Sequence, residues 1–212
     1  MIKPGMMINR RNGGCHMSTD EQQSDVQKKF DYAFQCYESG DFKAAFEAYF
    51  ELAELGNKNC QAFVGDLYYL GRGVGQDTDK ACYWLEKASE GGEVKAQFLL
   101  GKIYAGKGEH SKAFEWYEKA GHQGYAPAIY KMAIYAEKGR VGSVDKTLAL
   151  KLYREAAEKD HLYAKRTLAY RLLVGWGGIA RIPEGIVWLY RMIVDGYKIG
   201  KQGDLESDSL RV

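Results

Sequence analysis

The chain has 212 residues, 46% of them hydrophobic, with 30 Lys and Arg against 28 Asp and Glu. This composition allows a sizeable core, and the formal charge of +2 gives no reason to expect nucleic acid as a partner. No stretch reaches the roughly 18 apolar residues that a membrane-spanning helix needs, and no apolar segment follows Arg10 and Arg11 as it would in a signal peptide. We therefore expect a cytoplasmic protein that does not insert into a membrane.

The N-terminal stretch differs from the rest of the chain. Residues 1–20 have no helical periodicity and contain Gly, Asn and several Met, so we predict a disordered leader. Met17 is followed by Ser-Thr-Asp-Glu and is an alternative start of the chain. We assign no function to this stretch.

A first helix pair follows the leader. Apolar residues recur at helical spacing over residues 22–38, and Ser39 and Gly40 stop that helix. Asp41 is placed to cap the next helix, which Gly56 ends.

The second pair contains a glycine-rich turn. It begins near Lys58, breaks at residues 71–75 and restarts with Asp77 or Thr78 as the cap. The turn invites comparison with a dinucleotide-binding fingerprint, but no strand precedes it and the third glycine of that motif would fall on Gln76. We therefore predict an inter-helix turn.

The later pairs follow the same plan with different turns. The third pair has a turn four residues shorter, and His110 or Ser111 can cap its second helix. In the fourth pair Ser143 is a candidate cap. In the fifth pair Pro183 suits the first turn of the second helix, and Gly196 closes the pair.

The helix pairs repeat along the chain. The repeat has equivalent positions at Cys60, Ala96, Ala128, Ala164 and Gly200. Successive positions are separated by 36, 32, 36 and 36 residues. A period of this size is typical of a solenoid, in which each pair buries its apolar face against its neighbours. We predict an all-α solenoid of about five antiparallel helix pairs over residues 21–196, followed by a polar cap or tail over residues 197–212. Its units are about 22–56, 57–92, 93–124, 125–160 and 161–196.

Two sets of repeated positions explain the pattern. Each first helix carries a large residue followed by a small one, and the small residue lets the second helix approach closely. These pairs are Val64-Gly65, Leu100-Gly101, Met132-Ala133 and Leu168-Ala169. The large partners on the second helices are Trp84, Trp116, Leu152 and Trp188, followed by Leu85, Tyr117, Tyr153 and Leu189. We assign the tryptophans to core packing rather than to ligand binding.

Two spaced motifs return together in these units: Ala96-x-x-x-Leu100-Gly101-x-x-Tyr104 and Lys80-Ala81-x-x-Trp84-Leu85-x-Lys87-Ala88-x-x-x-Gly92. They resemble the Sel-1-like repeat, a relative of the tetratricopeptide repeat. The resemblance covers about residues 24–196 and implies a right-handed α/α superhelix. Two residues depart from the pattern: Ala48 occupies the position of Trp84 in its unit, and Ala136 occupies the position of Tyr104.

The residue pattern gives no support to an enzyme. The histidines lack the spacing of zinc ligands, and no nucleophile motif or phosphate-binding loop is present. The four cysteines stand singly, and Cys60 occupies a slot that alanine fills in other units, so a buried thiol is favoured over a disulfide. We predict a non-enzymatic protein with no catalytic residue, no metal and no cofactor.

In tetratricopeptide-like arrays the first helices line a concave groove, and the resemblance places a stripe rich in aromatic residues on that face. The predicted partner-binding residues are Phe34, Tyr37, Asp66, Tyr69, Phe98, Lys102, Tyr130, Ile134, Tyr163, Arg166 and Tyr170. Aromatic residues and arginine contribute much of the binding energy in protein interfaces. The alternative is that successive first helices pack on one another, so that Phe98, Tyr130 and Tyr163 are ordinary core.

The predicted function is that of an adaptor that holds a peptide or protein segment on its concave face. The resemblance further implies the assembly of complexes, often in bacteria, with an envelope or virulence association. The alternative is a hydrolase of cell-wall or β-lactam substrates, as proposed for cysteine-rich relatives, although their repeated cysteine pair is missing here. A third hypothesis is a structural antigen or self-associating scaffold, and the oligomeric state is left open.

Overall fold

The helices predicted from the repeat are present in the structure. The computed structural model describes the backbone of residues 19–202 and the side chains of residues 23–195. Within that part the chain forms ten α-helices, one short 3-10 turn and no strand. The helices are α1 (Thr19–Glu38), α2 (Phe42–Glu54), α3 (Lys58–Leu70), α4 (Thr78–Glu90), α5 (Val94–Gly106), α6 (His110–His122), α7 (Ala126–Lys138), α8 (Lys146–Glu158), α9 (Leu162–Leu173) and α10 (Ile182–Gln202). Residues 1–18 of the predicted leader and residues 203–212 of the predicted tail lie outside the described part.

Consecutive helices pack as antiparallel pairs. The described part of the chain divides into two compact units, with the boundary after Ala96, inside α5. In the first unit α1 packs on α2, α2 on α3 and α3 on α4. In the second unit the same order runs from α6 to α10, each helix packing on the next. This is the all-α arrangement of helix pairs that the repeat predicted.

The connections between helices fall into two classes. Each connection from one pair to the next has three residues: 55–57, 91–93, 123–125 and 159–161. The turns within the pairs range from three to eight residues: 39–41, 71–77, 107–109, 139–145 and 174–181. The helices from α2 to α8 nevertheless all have 13 residues. Turn length therefore varies while the helices keep their register, as predicted.

Two of the predicted helix caps are confirmed. The Asp41 carboxylate accepts a hydrogen bond from the backbone N–H of Ala44 at 3.1 Å, and the Asp77 carboxylate accepts one from that of Lys80 at 2.9 Å. Such a side chain satisfies N–H groups that have no partner within the helix. Pro183 also lies in the first turn of α10, as predicted.

Two other cap predictions are wrong. Helix α6 begins at His110 itself, and neither His110 nor Ser111 caps it. Helix α8 is capped by Asp145, whose carboxylate accepts a backbone N–H at 2.9 Å, and not by Ser143. The turn before α8 has seven residues like the turn before α4, which places Asp145 at the position of Asp77.

The last helix runs further than predicted. Gly196 was expected to close the fifth pair, but α10 continues through it to Gln202. A glycine inside a helix costs about 1 kcal/mol relative to alanine, which is too little to end a helix whose neighbours favour it. No proline follows Gly196 within α10. In the part of the chain that the structure describes, no helix is both long and apolar enough to span a membrane.

Small residues bring the two helices of a pair into close contact. A Cβ atom added to Gly65 would lie 2.6 Å from Cγ of Leu85, and one added to Gly101 would lie 2.5 Å from Cε1 of Tyr117. Carbon atoms do not pack that closely, so a larger residue would push the helices apart. The equivalent residues Ala33, Ala133 and Ala169 are buried. These contacts confirm the predicted role of the small position.

In α4, α6 and α8 the residue after the predicted tryptophan position is more buried than the residue at that position. Leu85, Tyr117 and Tyr153 are almost fully buried. Trp84 is buried too, whereas Trp116 is only half-buried. The tryptophan position therefore lies nearer the edge of the core than the residue after it.

Leu189 departs from this pattern, although its repeat position predicts burial. It is 38% exposed, and Ile186 and Ile193 beside it are exposed as well. The equivalent residues of α8, such as Leu150 and Ala157, are buried where α9 packs on that helix. No described helix packs on the corresponding side of α10.

The cysteine prediction is confirmed where the structure tests it. Among the described residues, Cys36, Cys60 and Cys82 form no disulfide bond, and Cys60 is buried. Burial raises the pKa of the Cys60 thiol to about 12, so it stays protonated near neutral pH. Cys15 lies outside the described residues.

The glycine-rich turn before α4 packs on the first helix pair. Gly73 has a φ of +72°, and a Cβ atom added there would overlap the carbonyl group of Phe42. The Arg72 guanidinium carbon lies 5.1 Å from the centre of the Phe42 ring, and Arg72 donates a hydrogen bond to the Tyr37 hydroxyl at 3.0 Å. The turn is therefore the predicted inter-helix turn, fixed by contacts with its neighbours.

Replacing Gly73 with alanine should destabilise the protein by more than about 2 kcal/mol, because the new Cβ meets backbone atoms and the residue must keep a positive φ. Gly75→Ala is the matched control, since no atom lies within 4 Å of a Cβ added there. Urea unfolding gives the free energy of unfolding of both variants. Equal stability of the two would show that the turn does not depend on this contact.

A tyrosine in the first unit is buried without a hydrogen-bond partner. Tyr49 stacks on Phe63 with 4.7 Å between ring centres, and its hydroxyl has no partner among the described residues. Burial raises the pKa of Tyr49. The equivalent Tyr153 is also buried but donates a hydrogen bond to the Glu137 carboxylate at 2.5 Å.

Removing the same hydroxyl at these two positions should have opposite effects. Tyr49→Phe should raise the free energy of unfolding by about 1 kcal/mol, because an unsatisfied buried group is lost. Tyr153→Phe should lower it by about 1 to 3 kcal/mol, because the Glu137 carboxylate loses a donor. Urea unfolding of both variants checks the signs, and a loss of stability in Tyr49→Phe would contradict the interpretation.

Candidate functional site

In the first unit the predicted binding residues differ in exposure. Phe34 of α1 is 47% exposed, while Tyr37, Asp66 and Tyr69 are half-buried. The Tyr37 ring packs edge-on against that of Phe42 with 5.3 Å between centres. Tyr37 thus takes part in the turn contact described above.

On α5 the predicted residue Phe98 belongs to the core. It is 6% exposed, and its ring centre lies 5.7 Å from that of Tyr117 and 5.3 Å from that of Tyr125. Lys102, one turn further along, is half-buried. For Phe98 the core alternative describes the structure, so this residue offers no exposed anchor.

The remaining predicted residues lie on α7 and α9, and we call them the α7–α9 face: Tyr130, Ile134, Tyr163, Arg166 and Tyr170. Tyr130 joins the two helices, because its ring centre lies 4.9 Å from that of His161 and 6.5 Å from that of Tyr163. Its hydroxyl lies 3.4 Å from the Thr167 hydroxyl. Tyr130 is therefore half-buried between first helices, in part as the core alternative predicted.

The α9 side of this face is more open to solvent. Arg166 is exposed, and its guanidinium carbon lies 5.3 Å from the centre of the Tyr163 ring. Tyr170 is 57% exposed, with the Arg171 guanidinium carbon 5.3 Å from its ring centre. Cations over aromatic rings are held by the negative charge of the ring faces. The exposed surface here is both aromatic and cationic.

An open depression of about 390 Å³ lies beside Arg166, between α9 and α10. It is lined by Leu162, Tyr163, Arg166 and Met192. Its lining is mainly apolar, with one cationic group from Arg166.

A charge network holds α7 against α9. Glu137 forms an ion pair with Arg171 and accepts a hydrogen bond from the Tyr153 hydroxyl at 2.5 Å. Burial, and then the hydrogen bond to Glu137, raise the pKa of Tyr153. The Arg171 guanidinium carbon also lies 4.7 Å from the centre of a Trp176 ring. Both Glu137 oxygens are thus engaged, so this carboxylate is not a free general base.

His161 caps α9, a role that the sequence analysis missed. Its Nδ1 accepts a hydrogen bond from a backbone N–H in the first turn of α9 at 3.1 Å, and its ring packs against Tyr130 and Tyr163. Burial, and then the nearby Lys131, lower the pKa of His161, which keeps the ring neutral. Asn57 caps α3 at the equivalent position, and that equivalence could have predicted the cap.

The acid and the histidine beside the α7–α9 face are engaged within the fold. The carboxylate of Glu137 is paired, and Nδ1 of His161 is occupied by its cap. Among the described side chains, no group of three His, Cys, Asp or Glu residues is placed to hold a metal ion. The groups that remain open to solvent are aromatic rings and cations, which are common in protein interfaces.

Acid should weaken the α9 cap. Because the folded pKa of His161 is lowered, the cap contributes stability above the unfolded pKa of about 6.5 and is lost as the pH falls through the folded pKa. His161→Asn should keep the cap without a titrating group. Urea unfolding at about pH 7.5 and about pH 5 should show a larger loss of stability in the wild type than in His161→Asn. Equal losses would show that His161 does not act as this cap.

Comparison with known proteins finds the same repeat. A model of the Sel1 repeat matches residues 58–93, 94–125 and 126–161. These three consecutive matches span α3 to α8.

The fold is similar to that of solved Sel1 repeat proteins. A Sel1 repeat protein from Oxalobacter formigenes aligns with a TM-score of 0.69 and 24% identity, over 79% of this chain and 68% of that protein. The protein c5321, a protective antigen of uropathogenic Escherichia coli strains with an SLR fold, aligns with a TM-score of 0.72 and 25% identity, over 83% of this chain and 39% of that one. These likenesses confirm the predicted all-α solenoid class.

Curated relatives match this chain over a smaller share of their own length than the solved proteins do. The chitin synthase regulator SKT5 of Saccharomyces cerevisiae is 28% identical over 151 residues, 68% of this chain and 21% of that protein. The ERAD-associated E3 ubiquitin-protein ligase component HRD3A of Arabidopsis thaliana is 44% identical over 54 residues, 25% of this chain and 8% of that protein. This chain therefore spans only a minor part of either relative.

Sel1 repeats generally act as protein-interaction modules, and the fold is typically a non-catalytic scaffold. The three matched repeats, the solved structures of the same fold and the spaced motifs agree with one another. The chain is a Sel1-like repeat protein.

Proposed function

We propose that this chain is a non-enzymatic adaptor that binds a protein or peptide segment on the face formed by its first helices. The observation that supports this most is the open part of the α7–α9 face, where Arg166 and Tyr170 are exposed beside the half-buried ring of Tyr163. Residues of these types contribute most of the binding energy in many interfaces. In the predicted superhelix this face is the concave one.

Two other functions have less support. A hydrolase needs an activated nucleophile or a free general base, whereas Glu137 and His161 are already engaged within the fold. The third hypothesis, a structural antigen, has the support that the similar protein c5321 is a protective antigen.

The setting of the adaptor stays a prediction. Bacterial sources of two solved relatives favour a bacterial protein, while the yeast and plant relatives carry similar sequences in other contexts. We keep the envelope or virulence association and the cytoplasmic location as parts of this proposal. Binding of the proposed kind involves no cofactor and no nucleic acid.

Affinity capture from a lysate of the source organism tests the adaptor function. The test variant removes three side chains of the α7–α9 face: Tyr163→Ala, Arg166→Ala and Tyr170→Ala. The matched control removes three exposed side chains of α8: Lys151→Ala, Glu155→Ala and Glu158→Ala. The test variant should retain at most about a tenth of the partner that the wild type captures, because anchors of this type each contribute on the order of 1 to 2 kcal/mol.

Thermal unfolding of the same variants separates binding from folding. Truncating the exposed Arg166 and Tyr170 and the half-buried Tyr163 should lower the melting temperature less than truncating a core aromatic residue, which costs about 3 to 5 kcal/mol. Full capture by the test variant, or an equal loss in the control, would contradict the proposed face.

A further inference from the structure

The two helices of the α7–α9 face carry an excess of positive charge. Together α7 and α9 contain five Lys and Arg and a single acid, Glu137. The second helices α6 and α8 contain five Lys and Arg and four Glu. The excess of positive charge is therefore found on the first helices α7 and α9, and the second helices α6 and α8 do not share it.

Ion pairs within the fold use only part of this charge. Arg171 pairs with Glu137, and Lys165 pairs with Asp160 and Asp195. The cations of α7 and α9 that have no carboxylate partner among the described side chains are Lys131, Lys138 and Arg166. These three are available to a carboxylate of another molecule.

Arg166 is placed to orient such a carboxylate. Its guanidinium group lies over the Tyr163 ring at the rim of the depression that Leu162 and Met192 also line. A guanidinium group held in one plane can donate two parallel hydrogen bonds to a carboxylate. The depression beside it offers apolar surface to a neighbouring side chain.

Lys131 adds an unrelieved charge on the α7 side. It is half-buried next to Tyr130, and burial, followed by the cations Arg140 and Lys138, lowers its pKa. A partly buried ammonium group among other cations is destabilised until an anion approaches it. His161 also lies close enough to Lys131 for the lysine to lower its pKa, and it is held neutral by its cap.

We propose, on the basis of the adaptor function above, that the α7–α9 face binds an acidic protein segment that also carries apolar residues. An apolar side chain of the segment enters the depression between α9 and α10, one carboxylate pairs with Arg166, and a second pairs with Lys131.

A protein segment fits these features better than a nucleic acid does. The cations are few, and the rings of Tyr130, Tyr163 and His161 pack on one another instead of presenting free faces to bases. The depression is mainly apolar, and the whole chain has a formal charge of only +2.

Fluorescence anisotropy with the full chain and labelled probes tests the proposal. The probes are an alternating Leu and Glu peptide of about 12 residues, its isostere with Gln in place of Glu, its counterpart with Lys, and an oligo-dT of similar length. The acidic peptide should bind at least about tenfold more tightly than the other three, and its affinity should fall at least about fivefold between about 0.05 and about 0.3 M NaCl.

Matched variants locate the binding. Arg166→Gln with Lys131→Gln should weaken the acidic peptide at least about tenfold. The control, Lys151→Gln with Lys159→Gln, removes the same charge from the exposed surface beyond α7 and α9 and should bind as the wild type does. Arg166→Lys should recover part of the affinity, because it keeps the charge without the planar fork. Circular dichroism on heating verifies that each variant is folded.

Several outcomes would overturn the inference. Equal affinity for the acidic and the Gln peptide would remove the acidic specificity while leaving the adaptor function intact. Tighter binding of oligo-dT would favour nucleic acid instead. Absence of acidic-peptide binding, or equal losses in the two double variants, would refute the proposed site, and the capture experiment would still decide the adaptor function separately.

Discussion

The fold depends on a contact that leaves no room for a further side-chain atom. At the small position of the first helix, Gly65 lies against Leu85 and Gly101 lies against Tyr117. Because neither helix can slide or rotate without a clash, this contact fixes the register of each pair. The environment of a given position is therefore similar from one pair to the next, and most burial in the array follows from it.

Charged side chains are distributed unevenly over the helices of the second unit. The acids near α9 are used within the fold, as Asp160 and Asp195 are by Lys165. Burial alone would lower the pKa of Lys165, but its hydrogen bonds to the two aspartates raise the pKa overall. Pairs of this kind add little net stability, since desolvation offsets much of their attraction. Their larger effect is to withdraw negative charge from a surface on which Arg166 stays exposed.

Local patterns were enough to predict the helix pairs, because register and caps such as Asp77 depend on residues close in sequence. Features that depend on distant neighbours were not predictable in the same way. Phe98 is buried by aromatic rings of the next helices, and Leu189 is exposed because no described helix follows it. The cap formed by His161 lies between these cases, since comparison with Asn57 could have revealed it. The residues of the α7–α9 face were predicted as part of a longer stripe on the first helices, but identifying the unpaired cations of α7 and α9 required the side-chain contacts.

The links between helix pairs limit where the gene can change in length. Each has three residues and contains one residue with a positive φ: Gly56, Gly92, Gly124 or Asp160. An inserted codon there would displace every helix that follows, whereas the turns within pairs already differ in length and can absorb an insertion locally. Over evolutionary time, insertions and deletions should accumulate in turns such as 139–145 and 174–181, and the same turns are the places where an added tag or recognition peptide would disturb the array least.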